Sequence, residues 1–305
     1  MTEPLNFNRE LPAAAGQCER VSPLIRRIIA PNPGPYTFTG TCSYIIGKGE
    51  VAIVDPGPLL PQHCDALLQA LSGESVSHIL VTHTHRDHSP AAALLKRETG
   101  AIIAGCHPDS FSRAMASGER NPLASSTDRD YIPDIVLEDG STLAGHGWTI
   151  NAVDMPGHTA NHVSFHLVEE NALFSGDHVM AWSTTVVAPP EGSMSAYMAS
   201  LDKLLQRNDS IYWPGHGGPV NSPRSFVRAL LLHRRAREAA ILRRLESGDE
   251  TIPALVSVLY QDLSPSLIGA AAMSVLAHIE DLVSRNLVIT EGPPRLNGIF
   301  RLNRL

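Results

Sequence analysis

Residues 83–88 read His-Thr-His-Arg-Asp-His, and no other part of the chain limits its fold and chemistry as strongly. The segment follows the apolar residues 79–81, which predict a buried strand. Imidazole and carboxylate groups are ligands that Zn²⁺ and similar divalent ions accept, and ordinary packing does not need so many of them together. Because sites in α/β proteins gather at the carboxyl ends of strands, we predict half of a two-metal site here.

Four more polar side chains end predicted strands in the same way. His158 and His216 each stand in a Pro-Gly turn, Asp177 follows a Ser-Gly pair, and Asp55 closes the apolar run 51–54. Taken singly, such residues are most often surface turns or helix caps. Together they predict a metal site built from several strand ends, with Asp55 as a partner that orients a ligand imidazole.

The composition is that of a globular protein with room for one large domain or two. No apolar stretch approaches the ~20 residues that span a bilayer, so we expect no membrane contact. The first residues lack a basic and apolar leader, and the four cysteines form no Cys-x-x-Cys pair. These features predict a reducing compartment, with the cytoplasm as the default and an internal organelle as the other option.

The net charge of −7 is unevenly distributed along the chain. Residues 224–305 carry eleven Arg against eight acidic residues, a net +3, which leaves −10 on the remainder. A strongly basic nucleic-acid-binding protein is therefore not expected, although the C-terminal part is mildly basic.

Up to residue 222 the apolar pattern alternates between strands and crossover helices, which predicts an α/β domain over 1–222. Within it we predict an extended surface arm over 1–35, a hairpin over 37–54 and a flap or long connection over 105–134. The other predicted elements are helices at 62–72, 90–98 and 194–206 and strands at 77–81, 101–104, 135–137, 148–154, 163–168, 171–175 and 210–212.

From residue 223 the pattern changes to that of a second, smaller domain over 223–305. Leu, Ala and Ile at helical spacing predict a helix over 225–246, and two more helices follow the starts Thr-Ile-Pro and Ser-Pro. Two short apolar segments around a Gly-Pro-Pro turn then predict a β-wing. Three helices followed by a wing are the pattern of a winged-helix domain.

These motifs resemble those of the metallo-β-lactamase superfamily over roughly residues 25–222. The His-x-His-x-Asp-His motif of that family is matched here by His83, His85, Asp87 and His88. The resemblance implies a four-layer αβ/βα sandwich with the metals at one edge of the two sheets. With its winged helix, the chain is similar to the branch that contains β-lactamase-like endoribonucleases and bacterial hydrolases of the same fold.

The similarity to this branch also rests on shorter pieces, found here at 30–35, 39–41, 176–180 and 197–201. Two positions depart from the pattern of the branch. Cys42 stands where the branch usually has Asn, and Ser89-Pro90 replaces the usual Gly after the first motif. Both lie near the expected pocket, so they bear on substrate fit rather than on metal binding.

The resemblance implies two divalent ions, with Zn²⁺ as the first expectation and Fe²⁺ or Mn²⁺ as alternatives. One ion would be bound by His83, His85 and His158, and the other by Asp87, His88 and His216, with Asp177 bridging both. Asp87 and Asp177 are expected to take part in catalysis. Asp55 and His178 are expected to support the ligands, and protonation of the leaving group by His178 is the less favoured role.

The implied reaction is attack by a metal-bridging hydroxide on an ester, thioester or lactone. The expected Asp177 bridge argues against a β-lactamase, and His85 stands where flavin-linked diiron enzymes carry an acid. A phosphodiesterase or single-strand endoribonuclease is the alternative. The aromatic content of 5% and the acidic first domain disfavour a single-stranded RNA substrate.

A hypothesis of another class is a winged-helix regulator that binds DNA and senses a ligand through its metal-binding domain. Major-groove reading needs Arg, Lys, Asn or Gln early in the recognition helix. The predicted helix over 266–285 begins instead with Ser-Leu-Ile-Gly-Ala-Ala-Ala. We therefore predict a small-molecule substrate, and a winged helix that packs on the catalytic domain, lines its cleft or forms a homodimer contact.

Overall fold

The computed structural model describes residues 5–11, 14–119 and 121–304. Its first sheet has seven strands that lie side by side in chain order. Two crossover helices, α1 (Pro61–Ala70) and α2 (Ala92–Thr99), connect three of these strands. The strands are β1 (Glu19–Arg20), β2 (Ile25–Ile29), β3 (Cys42–Lys48), β4 (Glu50–Val54), β5 (Ser75–Val81), β6 (Ile102–Gly105) and β7 (Ile135–Val136). The first four pair antiparallel and β4 to β7 pair parallel, so the carboxyl ends of β4, β5 and β6 meet at one edge.

The second sheet has five strands in the order β12-β11-β10-β9-β8. They are β8 (Thr142–Gly145), β9 (Trp148–Asp154), β10 (Val163–Leu167), β11 (Ala172–Gly176) and β12 (Ile211–Pro214). Only β11 and β12 pair parallel, because the helix α3 (Met194–Leu205) returns the chain between them. The carboxyl ends of β9, β11 and β12 therefore carry loops that can reach one region.

The apolar side chains explain why the two sheets stack. Ile45 and Ile53 from the first sheet and Phe165 and Phe174 from the second are almost completely buried in one shared cluster, which α1 and α2 also join. A second cluster places α3 on the outer face of the second sheet. The order helix, sheet, sheet, helix confirms the predicted four-layer α/β sandwich.

The prediction of a surface arm over 1–35 is wrong for its later part. Residues 25–29 form β2, which pairs with β3 and is mostly buried. The Pro, Asn and Ala content of residues 1–35 suggested a surface arm, but within β2 Glu74 and Glu19 pair with the guanidinium groups of Arg26 and Arg27 from neighbouring elements. No local pattern predicted β8, which is a short strand at the edge of its sheet and alternates exposed and half-buried residues.

The C-terminal part has three helices and a two-stranded wing, as predicted. The elements are α4 (Pro223–Glu246), α5 (Ile252–Leu259), α6 (Ile268–Ser284), β13 (Val288–Thr290) and β14 (Phe300–Leu302). Ile241, Leu255, Ile279 and Phe300 form its core. The winged helix packs on the first domain, because Ala277 of α6 belongs to the cluster that buries α3.

One helical segment, Pro265–Ser284, is long and apolar enough to cross a membrane, which corrects the expectation that no stretch approaches that length. Half of it is buried within the protein. Its buried side supplies Val275, Leu276 and Ile279 to the core of the winged helix. Core helices of globular proteins have the same length and composition, so this segment alone does not indicate a membrane.

A buried histidine of α6 predicts a specific loss of stability in acid. The side chain of His278 is 1% exposed, and neither ring nitrogen has a hydrogen-bond partner in the described part of the chain. Burial, with Arg234 and Arg237 of α4 nearby, lowers the pKa of His278 to about 3. The unfolded state therefore binds one more proton than the folded state between about pH 3 and pH 6.5.

We expect His278→Leu to remove this proton uptake. The free energy of unfolding of the unmodified protein should fall by about 1.4 kcal/mol per pH unit, from this group alone, as the pH drops from 6.5 towards 3. Urea unfolding at pH 7 and pH 5 measures the slope for both proteins. His146→Leu, at an exposed position, serves as the control. An identical slope in His278→Leu and the unmodified protein would contradict the prediction.

Candidate metal centre

The structure brings all seven predicted ligands together where strands of the two sheets end. Residues 83–88 follow β5, and the other ligands follow β9, β11 and β12. Three groups have all their ligating atoms within 4.8 Å of one another, namely His83 with His85 and His158, His83 with His88 and Asp177, and Asp87 with His88 and His216. The first two groups share His83 and the last two share His88, so the three form one continuous cluster.

The first set of nitrogens is tightly convergent. The Nε2 atom of His83 lies 3.0 Å from Nδ1 of His85, and Nε2 of His158 lies 3.1 Å from the same Nδ1. All three side chains are buried. This triangle corresponds to the ligand set that the resemblance implies for the first metal.

The second set combines two imidazoles and a carboxylate. The Nε2 atoms of His88 and His216 are 3.3 Å apart. The Oδ2 atom of Asp87 lies 3.1 Å from Nε2 of His216 and 3.5 Å from Nε2 of His88. These atoms correspond to the ligand set implied for the second metal.

Asp177 lies between the two sets. Its Oδ1 atom is 3.5 Å from Nε2 of His88 and 3.4 Å from Nε2 of His216, whereas its Oδ2 atom is 3.7 Å from Nε2 of His158. One carboxylate oxygen thus faces each set. This is the arrangement that a carboxylate needs to contact two neighbouring cations.

Hydrogen bonds on the far side of each ring decide which nitrogen faces the cluster. Nδ1 of His158 donates to the carbonyl of Val186 over 2.6 Å. Nδ1 of His88 donates over 2.8 Å to Oδ2 of Asp55. Because these acceptors take the Nδ1 proton, the Nε2 lone pairs are left pointing into the cluster.

Asp55 is hydrogen-bonded behind two of the predicted ligands. It is 1% exposed, and besides His88 it accepts the backbone N–H of Thr82 over 2.8 Å and the Thr82 hydroxyl over 2.9 Å. The Thr82 oxygen can then accept from Nδ1 of His83, which lies 2.9 Å away. A single buried carboxylate therefore sets the orientation of one ligand directly and of another through Thr82.

The donor set fits divalent metal ions. Imidazole nitrogens and two carboxylates converge here, and Oδ1 of Asp177 has no hydrogen-bond partner in the described residues. Burial opposes protonation of His216, but Asp177 and Asp87 overcome this effect and raise its pKa to about 9. Such a cluster demands positive charge, and a divalent cation supplies it to all the ligands at once.

His178 has a different environment from the one expected. Its ring is fully buried and packs against Tyr197, with ring centres 4.7 Å apart, and neither ring nitrogen has a partner among the described residues. Burial lowers its pKa to about 3, so the ring is neutral at neutral pH and is a poor general acid. Its neighbour in space, His162, contacts the cluster instead, because Nε2 of His162 accepts the backbone N–H of Asp177 over 3.1 Å.

The sequence analysis did not identify Glu191, a fully buried carboxylate that lies 3.6 Å from Nε2 of His85. Within the sequence it stands between Pro190 and Gly192, a context typical of an exposed turn. No local pattern marks it, because its partners come from distant parts of the chain.

The two departures from the branch pattern are both buried next to the cluster. The backbone N–H of Cys42 donates to Gly215, next to His216, over 2.8 Å. The hydroxyl of Ser89 donates to Asp128 over 2.6 Å. These contacts secure the loops that carry ligands, and neither side chain projects into open space.

The long connection before β7 is joined to the winged helix. Arg113, in the long connection before β7, binds Glu280 of α6 over 2.7 Å and Glu119 over 2.7 Å. On another side Phe38 stacks on Trp182 with ring centres 5.0 Å apart. Through Arg113 and Glu280, the long connection is therefore held to α6 of the winged helix.

Comparisons with known proteins agree with this geometry. The family model described as the metallo-beta-lactamase superfamily matches residues 36–216, and that of the beta-lactamase associated winged helix domain matches residues 251–293. In fold, the chain is similar to a metallo-beta-lactamase family protein of Thermus thermophilus, with a TM-score of 0.75 and 24% identity over 93% of this chain and 100% of the other. A beta-lactamase domain protein of Burkholderia ambifaria has a TM-score of 0.79 and 20% identity over 98% of this chain and 97% of the other.

Relatives in sequence include an atrochrysone carboxyl ACP thioesterase of Cryptosporiopsis, 30% identical over 80% of this chain and 74% of the relative. A beta-lactamase-like protein 2 homolog of Caenorhabditis elegans is 31% identical over 84% of this chain and 82% of the relative. The metallo-beta-lactamase model spans all the ligand loops described above. The chain therefore belongs to the metallo-beta-lactamase superfamily, as a hydrolase with the associated winged-helix domain.

Proposed function

We propose that this protein is a dinuclear metal-dependent hydrolase of acyl thioesters, with carboxylic esters and lactones as related substrates. The observation that carries the proposal is the position of Asp177, whose two carboxylate oxygens face the two separate sets of ligands. Two divalent ions bound here would supply a nucleophilic hydroxide at neutral pH and would stabilise negative charge on the carbonyl oxygen. Zn²⁺ is the proposed metal, because imidazole nitrogens dominate the donor set.

The protein's own groups position the reactants. The side chain of Asp87 is 26% exposed, against 10% for Asp177, so Asp87 is the carboxylate of the cluster that a substrate or water can best reach. It can accept a hydrogen bond from the attacking water and orient it. Asp55, which is buried behind the ligands, keeps the imidazole of His88 aligned throughout.

The leaving group favours a thioester. Hydrolysis joins the water oxygen to the acyl carbon and breaks the carbon–sulfur bond, releasing a carboxylate and a thiol. A thiolate, with a conjugate-acid pKa of about 8.5, can depart before it is protonated, whereas an alkoxide is far more basic. His178, the one acid suggested for protonating a leaving group, is neutral and turned towards Tyr197. The name of the thioesterase relative supports the same substrate class.

A phosphodiesterase and a DNA-binding regulator are the two alternative functions, and the experiment below tests both. Single-stranded RNA or another phosphodiester would require the metals to act at phosphorus. A DNA-binding regulator would require α6 to enter a major groove, yet α6 packs on α3 and is tied to Arg113 through Glu280. The wing arginine Arg301 is already paired with Glu250. These contacts favour a role for the winged helix within the enzyme.

A substrate panel tests the proposal. Protein loaded with Zn²⁺ is assayed against an acyl-pantetheine thioester, an aryl ester, a lactone, a bis-aryl phosphodiester and single-stranded RNA. We expect the highest kcat/KM on the thioester, loss of activity with a chelator, and recovery when Zn²⁺ is restored. His146→Ala, at an exposed histidine, should behave like the unmodified protein. A higher kcat/KM on RNA or the phosphodiester, or sequence-specific binding of duplex DNA without turnover, would overturn the proposal.

We also propose the cytoplasm as the compartment of this enzyme. All four cysteines are free thiols, and Cys18 is exposed to solvent. Unpaired cysteines are typical of proteins kept in a reducing compartment. Fractionation of cells that produce the natural protein, followed by detection with a specific antibody, tests this location.

A further inference from the structure

Glu191 is a buried carboxylate, and only one of its two oxygens accepts hydrogen bonds from the described residues. It is fully buried, and its Oε1 atom accepts from Nδ2 of Asn121 over 2.5 Å and from the hydroxyl of Thr127 over 2.7 Å. Its Oε2 atom has no hydrogen-bond partner in the described residues. That atom lies 3.6 Å from Nε2 of His85, which is also buried and, within the same described ranges, without a partner.

His85 differs from the other imidazoles in the atom that it presents to the cluster. Its Nδ1 atom faces Nε2 of His83 and Nε2 of His158, so Nε2 points outward. His88 and His158 each give their outward proton to an oxygen acceptor. For His85 the acceptor in the corresponding position is Oε2 of Glu191.

We infer that Glu191 is a positioning residue for the metal centre, which accepts the Nε2 proton of His85 and so keeps the Nδ1 lone pair available to a metal ion. The inference rests on the proposed metal centre. A carboxylate can only accept a proton from His85, so it stabilises one tautomer and disfavours the other. The other tautomer would place a proton on Nδ1 and could not bind a metal through it.

Glu191 also connects the metal centre to the long connection between β6 and β7. Asn121 and Thr127 both belong to that connection, and Thr127 forms an isolated β-bridge with His85. The backbone N–H of Arg86 donates to Ser126 over 2.7 Å. Segment 121–127 therefore holds the Glu191 carboxylate and the His85 backbone together, and its order should depend on both.

Glu191→Gln tests this role with little change in volume. The Gln oxygen can still accept from Asn121 and Thr127, but its amide nitrogen then faces Nε2 of His85. An amide N–H needs an acceptor, so it stabilises the tautomer of His85 with the proton on Nδ1. We expect the affinity for Zn²⁺ at the set formed by His83, His85 and His158 to fall by about 10–100-fold, with the second set unchanged.

The measurement is competition for Zn²⁺ with a chromophoric chelator, together with the absorption spectrum of Co²⁺-loaded protein. Thermal unfolding of the metal-free proteins shows whether the fold is retained. Glu74→Gln is the matched control, because it makes the same change at a carboxylate that pairs with Arg26 just before β5, at the end of that strand away from the ligands. We expect Glu74→Gln to leave the affinity within about threefold, well short of the loss that follows removal of a partner behind a ligand, and the Co²⁺ spectrum unchanged.

Each outcome is decisive. If Glu191→Gln keeps the Zn²⁺ affinity and the Co²⁺ spectrum of the unmodified protein, or if Glu74→Gln loses as much affinity as Glu191→Gln, the inference is wrong. If metal-free Glu191→Gln unfolds at a much lower temperature, Glu191→Asp takes its place, since it keeps the acceptor. Glu191→Asp should then bind Zn²⁺ more tightly than Glu191→Ala, and equal affinities would overturn the inference. Failure of the unmodified protein to bind two ions would instead contradict the proposed function.

Discussion

Replacement of Asp177 by asparagine is expected to reduce kcat/KM on the best substrate by about 1,000-fold or more. The two oxygens of the Asp177 side chain face both ligand sets, and an amide retains one oxygen and loses the negative charge. Loss of a partner behind a ligand already weakens metal binding or activity by about 10–100-fold, so loss of a ligand shared by two ions should exceed that. Metal analysis should show fewer than two ions per chain.

The fold should survive this change, because the backbone contacts of Asp177 to His162 and Thr185 do not involve its carboxylate. Circular dichroism and thermal unfolding check this point. Asp202→Asn is a matched control, since the side chain of Asp202 is 57% exposed on α3. If Asp177→Asn keeps two bound ions and unmodified turnover, the bridging role of Asp177 is wrong.

The substitution Gly157→Ala is expected to have the largest effect on stability. Gly157 has φ +147°, and a Cβ atom there would lie 2.4 Å from Cα and 2.6 Å from Cβ of Tyr197. These atoms belong to the backbone and base of α3, which cannot rotate away. Overpacking and backbone strain together should lower the free energy of unfolding by about 3–5 kcal/mol. The adjacent His158 should be displaced, so Zn²⁺ affinity should fall as well.

Gly147→Ala separates the two causes. Gly147 also has a positive φ, of +80°, but a Cβ atom there would meet no other atom within 4 Å. It should cost only about 1 kcal/mol of stability and leave Zn²⁺ affinity unchanged. Urea unfolding of the metal-free proteins measures both effects. Equal stabilities of the two variants would show that the close approach of Gly157 to α3 is not real.

The fold could be predicted well where hydrophobic residues recur at regular helical or strand spacing without interruption. Strand β5 and helix α3 lie within about two residues of their expected bounds, because each buries one regular face. The prediction was wrong at β2, where two arginines stand inside a buried strand. Their charges are neutralised by Glu19 and Glu74, and a reader of the local sequence cannot see such partners.

In the candidate site, too, residues in a local pattern could be predicted, and residues whose partners are distant in sequence could not. His83, His158 and His216 could be singled out because each follows a strand at a turn, a local pattern. Glu191 could not, since its contacts join the loop before α3 to the connection before β7. His178 was expected near the ligands because it follows Asp177, but the turn directs its ring towards Tyr197.

The chain's order of residues was enough to determine the types of ligand, their places after strands and the alternation of strands and helices. These properties depend on chemistry and periodicity over a few neighbouring residues. Only the tertiary structure decided which nitrogen of each imidazole faces the cluster and which carboxylates lie behind it. Those choices depend on acceptors that packing of the two sheets and the winged helix brings from distant parts of the chain, as for His88 with Asp55 and for His85 with Glu191.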